Sequence, residues 1–193
     1  MDITPYQKII RPLLGDYRYR HSINVSEAAR DLAERYGADA DKAQLAGILH
    51  DITKDMPKKE QKALLDRFWV RLSPVEAHAP KLWHAISGAA YLRNMLHIED
   101  PEILDAVRYH TTGRAGMSLL EKIIFTADFI SADRDYDGVG KFRKLARRDL
   151  SAAMEAELSY TIIDLAQQGV AIHPDTVAAF NEVALQLLEE KEG

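Results

Sequence analysis

The chain contains no cysteine. Disulfides, thiolate metal sites and cysteine nucleophiles are therefore excluded, and any metal must be held by imidazole and carboxylate. That donor set suits zinc, iron, manganese or a related ion. The same absence fits a cytoplasmic protein. No apolar run approaches the roughly 20 residues that span a bilayer, and the N-terminal MDITPYQKIIRPLL has no secretory layout, so no membrane partner is expected. A basic excess is missing too. The net charge is −5, with 25 Lys and Arg against 30 Asp and Glu, which gives no global field for nucleic acid. Period-two alternation, internal repeats, low-complexity tracts and linkers are all absent, which argues against sheets, solenoids and multi-domain arrays.

What the chain does have is helical periodicity. Its 193 residues, 47% of them apolar, suit one domain with a sizeable core. Helices are predicted at 5–14, 17–36, 40–52, 57–68, 74–78, 80–96, 101–110, 117–133, 141–148, 150–168 and 174–190, with ends good to about two to four residues. Thr4-Pro5-Tyr6-Gln7 and Ser73-Pro74-Val75-Glu76 read as capping boxes with proline in the first turn, and Asp100 reads as an N-cap. Gly37 and Gly169 read as helix ends, and Pro174 opens the last helix. The predicted class is all-α.

Six side chains stand out against that pattern. His50-Asp51 follows the apolar face made by Leu45, Ile48 and Leu49; an unpaired carboxylate buried there is costly, and a metal ion removes the cost. Neighbouring residues on a helix point about 100° apart, so Asp51 can bridge two metals while His50 serves one. His21 precedes a stripe of Val25, Ala28, Ala29 and Leu32. His84 shares a face with Gly88, which leaves space beside the imidazole. His110 ends a helix with apolar Ile103, Leu104 and Val107. Asp128 interrupts the run Ile123-Ile124-Phe125-Thr126-Ala127-Asp128-Phe129-Ile130. Each alone is ordinary: a histidine on an apolar face is usually a satisfied core residue, and Asp128 has Arg134 nearby as an ion-pair partner. Together, four imidazoles and two carboxylates are the right set for two metals sharing one carboxylate, and such a pair can hold a bridging hydroxide and clamp a phosphoryl group. His97 reads as a helix-end surface residue, His173 as a turn residue and His78 as structural.

His21 … His50-Asp51 … His84 … His110 … Asp128 resembles the HD-domain metal-dependent phosphohydrolases. The segments GILHDITKDMP, KLWHAISGAAYL, YHTTGRAGMSLLEKIIFTADFIS and IHPDTVAAFN resemble the YqeK-type symmetrical diadenosine tetraphosphatases, over Tyr17 to Asn181. The resemblance implies a single HD domain over 1–193, with a helical core at about 17–133 and C-terminal helices at 141–190 packed on it. It also implies a two-metal centre, with iron as the metal. His21, His50, Asp51 and Asp128 match the ligands shared by HD domains, and His84 and His110 match the extra ligands of two-metal members. The implied reaction is cleavage of diadenosine tetraphosphate into two ADP. One stretch departs from the pattern: Ser131-Ala132-Asp133-Arg134 stands where a Glu-Pro-Asn-Arg-like run is expected.

The expected chemistry is in-line attack by a metal-activated hydroxide on the β-phosphorus, with Asp51 and Lys54 as the catalytic residues. A polyphosphate needs cations and hydroxyl donors along its path. Lys54 comes first, then Arg114, Arg134 and Arg143, with Thr111 and Thr112 as hydroxyl donors. Lys54 alternatively complements a helix dipole, and the basic run 141–148 reads as a solvated face apart from Arg143. Tyr17, Tyr19, Tyr109 and Tyr136 are available for base stacking. Competing readings are an HD enzyme for another nucleotide, a mixed-valent di-iron oxygenase using the same ligands, and a nucleotide sensor or RNA-associated protein. A homodimer is compatible with all of them.

Overall fold

The computed structural model describes residues 1–192. Its helices are α1 (Thr4–Ile10), α2 (Asp16–Tyr36), α3 (Ala40–Leu49), α4 (Lys58–Arg67), α5 (Pro74–His78), α6 (Trp83–Met95), α7 (Pro101–Tyr109), α8 (Leu119–Ile130), α9 (Val139–Ala146), α10 (Leu150–Gln167) and α11 (Pro174–Glu192), with a 3₁₀ turn at Pro80–Leu82 before α6. There is no strand among the described residues, as the absence of period-two alternation predicts. Among the described residues, no helix is long and apolar enough to cross a membrane.

Side chains set several helix starts. Ser73 and Ser118 each close a capping box with Glu76 and Glu121, and Asp100 accepts from the Glu102 amide. The expected box at Thr4 does not form. Thr4 is already inside α1, and its amide is satisfied by the Asp2 carboxylate, two positions earlier. Three predicted helices run too long. The first stops at Ile10, the third at Leu49 and the eighth at Ile130, because turns take over the apolar pattern beyond each end.

The core is built on α2, which packs on α3 and α8, while α7 lies against α3, α6 and α8. The α2–α3 approach is close because of Gly47. A Cβ there would stand 2.8 Å from the Ser26 Cα, so backbone would meet backbone. Val25, Ala29, Ile48, Leu49, Val107, Ile123, Ile124 and Ala127 fill this layer and are fully buried. Met117, Phe125, Met154, Leu158 and Ala179 form a second, smaller cluster that joins α8 to α10 and α11. Gly113 lies against Ala179, Met117 and Leu158 of the second cluster with φ +64°, a left-handed turn that a side chain would strain, and its amide bonds to the Tyr109 carbonyl at 2.8 Å to end α7. The fold thus brings one residue from α2, the ends of α3 and α7, the start of α6 and one residue of α8 to a common point.

Candidate metal centre

His50 is the residue that caps the C-terminus of α3, with Asp51 in the turn that follows; His110 caps α7 in the same way. His84 is in the first turn of α6. His21, one turn into α2, and Asp128, in the last turn of α8, complete the set. His21, His50, Asp51, His84 and His110 are all essentially buried.

Each imidazole is aimed by its Nδ1. His50 Nδ1 donates to the Gly47 carbonyl, His84 to Lys81 and His110 to Val107, each at 2.7 Å. His21 Nδ1 donates to Asp133 Oδ2 at 2.8 Å. With Nδ1 carrying the proton, a neutral imidazole presents an Nε2 lone pair, and all four Nε2 atoms face inward. Asp51 lies among them. Its Oδ2 is 3.4 Å from His50 Nε2, and its Oδ1 is 3.3 Å from His84 Nε2 and 3.6 Å from His110 Nε2. Asp128 Oδ1 is 2.9 Å from His21 Nε2 and 3.9 Å from His50 Nε2. Ligand atoms of His21, His50 and Asp51 lie within 4.8 Å of one another; the same holds for Asp51, His84 and His110, and for His50, His110 and Asp128.

These residues fit a metal on two grounds. His21 Nε2, His50 Nε2 and Asp51 Oδ1 are buried without a hydrogen-bond partner, which is costly in the absence of a cation. His84 Nε2 and His110 Nε2 are only 3.2 Å apart. Burial holds the His84 ring well below the ordinary imidazole pKa, so it is a neutral lone-pair donor at neutral pH, and a cation relieves the contact. Burial raises the Asp128 carboxyl, but His21, His50 and Arg134 more than reverse this and keep it ionised well below the usual range.

The remaining expected site residues divide into two groups. Lys54 and Thr111 face the centre. Lys54 Nζ is 3.0 Å from His84 Nε2 and 3.9 Å from Asp51 Oδ1, and burial lowers its pKa. Thr111 Oγ1 is 3.2 Å from the same His84 Nε2. Arg134 pairs with Asp128 Oδ1 and donates its Nε to the Asp128 carbonyl at 2.9 Å. The others are committed elsewhere. Thr112 is buried and donates to the Gly113 carbonyl. Arg114 bonds Glu121 at 2.6 Å and Asp105 at 3.0 Å and lies over the Tyr109 ring. Arg143 donates to backbone carbonyls. Tyr136 packs in an aromatic group with Phe129, Phe142 and Tyr160, whereas Tyr17 is half exposed and stacks at 6.3 Å on His21. A Cβ added at Gly88 would meet Val107 of α7 at 3.4 Å and the His50 carbonyl at 3.7 Å, ordinary packing distances. His173 is more than a turn residue: it is buried, with Nε2 3.8 Å from Glu76 Oε1.

Sequence reasoning missed four residues that hold this arrangement. Arg18, one turn before His21, places Nη1 2.7 Å from Asp51 Oδ2. Its i, i+3 relation to His21 was a usable signal. Asp133 accepts from His21 and from Asn24 Nδ2 at 3.0 Å. Gln61, fully buried, donates to the Thr53 carbonyl at 2.8 Å and the Met56 carbonyl at 2.9 Å, fixing the turn that carries Lys54. Nothing local marks Asp133, Asn24 or Gln61 as site residues.

Comparison with known proteins agrees with this geometry. The HD domain family model matches residues 18–133. The symmetrical bis(5′-nucleosyl)-tetraphosphatase of Halalkalibacterium halodurans is 44% identical over 95% of this chain and 96% of its own. That of Bacillus subtilis is 41% identical, over 89% and 92%. The crystal structure of a predicted HD superfamily hydrolase involved in NAD metabolism, from Clostridium acetobutylicum, superposes with a TM-score of 0.92 at 32% identity, covering 96% of this chain and 98% of that one. The chain therefore belongs to the HD-domain family and, within it, to the family of symmetrical bis(5′-nucleosyl)-tetraphosphatases.

Proposed function

We propose that this protein hydrolyses diadenosine tetraphosphate to two ADP in the cytoplasm, as one HD-domain unit with a two-metal centre. The observation that carries the reading is similarity along nearly the full chain to relatives bearing that activity in their names. The converging Nε2 atoms are consistent with such a centre and would supply its coordination. His21, His50, Asp51 and Asp128 would hold one ion and Asp51, His84 and His110 the other, with Asp51 shared. The nitrogen and oxygen donors suit iron, and manganese or another transition ion fits the same set. Such ions supply a nucleophile at neutral pH by lowering the pKa of water, and they offset phosphate charge.

The protein's own groups do the rest. Lys54 is placed to receive a phosphate oxygen beside Asp51, with Thr111 as a hydroxyl donor on the same side. Lys54, Arg18 and Arg134 together balance the carboxylates Asp51, Asp128 and Asp133. Metal charge added to that balance leaves an excess that suits a polyanion. Arg114 and Arg143 act from outside the reacting centre.

Product analysis is the direct test. Purified enzyme given diadenosine tetraphosphate in ¹⁸O-water should yield ADP alone, with one labelled oxygen in one of the two ADP molecules. A mixture of ATP and AMP defeats the symmetrical assignment. Substrate-dependent oxygen uptake with no nucleotide cleavage defeats the hydrolase reading.

A further inference from the structure

The last carbonyls of α8 would be unsatisfied at the end of an isolated helix. Here side chains from the next stretch of chain take them up. Arg134 Nε takes the Asp128 carbonyl, and Tyr136 takes that of Phe129 at 3.0 Å. Arg143, from the middle of α9, takes Ile130 with Nε at 2.9 Å and Ser131 with Nη2 at 2.7 Å. The same Nη2 reaches the Arg134 carbonyl at 2.6 Å and, more distantly, that of Ala132 at 3.5 Å. One planar, charged fork thus fixes both ends of the segment Ser131–Arg134.

That segment holds half of the metal centre. Its Asp133 carboxylate accepts from His21 Nδ1, and its Arg134 guanidinium pairs with Asp128. His50, His84 and His110 need no such help, because each donates Nδ1 to the carbonyl three residues before it in its own chain segment.

We infer that Arg143 is a positioning residue for the His21–Asp128 side of the centre, acting through the Ser131–Arg134 segment rather than on substrate. The inference rests on the two-metal reading above. Loss of Arg143 lets the segment relax, Asp133 moves off His21, and one of the two metals is held less tightly. The other metal, on Asp51, His84 and His110, is left as it was.

Mn²⁺ titration of metal-stripped protein, followed by electron paramagnetic resonance, reads this directly. Wild type should take up two equivalents per chain. Arg143→Ala should bind one equivalent as wild type does and the other more weakly, by no more than the about 10- to 100-fold that losing a ligand's direct outer partner costs. Arg143→Lys, which keeps the charge and a donor, should fall between them and guards against a variant that fails to fold. Unchanged Mn²⁺ binding with a raised KM for diadenosine tetraphosphate would overturn the inference in favour of substrate contact. Equal weakening of both equivalents together with a lowered Tm would overturn it in favour of general packing. If wild type itself binds one equivalent, the two-metal reading fails; weakening of that equivalent by Arg143→Ala, graded in Arg143→Lys, still supports the positioning role, and no change refutes it.

Discussion

Two sides of one metal centre are built by different means. His50, His84 and His110 are each oriented by a carbonyl three residues back. His21 is oriented by Asp133, 112 residues away, and Asp128 by Arg134, whose segment is held in turn by Arg143. The first side is set as soon as α3, α6 and α7 form. The second requires α2, α8 and α9 to be assembled. A ligand oriented by its own segment resists distant change, whereas one oriented across the fold can be disturbed from a distance.

The largest expected effect falls on the group shared by both sides. Asp51→Asn should lose both metals by elemental analysis and lose more than about 100-fold in kcat/KM, beyond the range for outer partners. Full metal content with wild-type turnover would remove Asp51 from its bridging role. His84→Ala comes next: it should delete one metal equivalent and leave the His21–Asp128 side filled. Loss of both would mean that the two sides are not separable. Asp133→Ala should cost about 10- to 100-fold in affinity for one equivalent, and Asp133→Asn less, because an amide oxygen still accepts from His21 Nδ1. Equal Mn²⁺ affinity in all three proteins would break the comparison.

The smallest effect concerns a buried acid behind the second side. Glu157 of α10 is fully buried, and neither carboxylate oxygen has a hydrogen-bond partner. Burial raises its pKa well above the usual carboxyl value, with Asp128 adding to the shift and Thr126 opposing it. The folded state therefore keeps this proton after the unfolded chain has released it. The resulting stability is fully present below about pH 4.3, the unfolded value, and is lost as pH rises toward the folded one. Glu157→Leu should be more stable than wild type at pH 8 by about 1–3 kcal/mol, the scale of an unpaired buried polar group, with a flatter dependence of Tm on pH. Metal content should not change. A lowered Tm or a lost metal would give Glu157 a part in holding α8.

This contrast also governs what was legible in the sequence. The candidate ligands stood out because most of them break or border an apolar helical stripe, a pattern local to a few residues. Helix starts at Ser73 and Asp100 were readable for the same reason. The long third helix was not, because Ile52 continues the apolar spacing although the chain has already turned at His50. Asp133, Asn24 and Gln61 gave no sign, since their partners lie on other elements or on backbone. Arg143 was visible as a charge, but its partners are carbonyls, which every residue has, so its inward role could not be told from a phosphate contact.

The ends of α3 and α7 carry a further consequence. Both helices deliver a histidine to the centre at the C-terminus, where the helix dipole leaves partial negative charge. Phosphate sites elsewhere use the opposite end, with its free amides. These two helix ends disfavour a polyanion and favour a cation, whereas α6 brings its N-terminal turn beside the same centre with His84. On the two-metal reading proposed above, a cation would have to offset these helix ends before a polyanion could sit beside them, so nucleotide affinity should rise with metal occupancy.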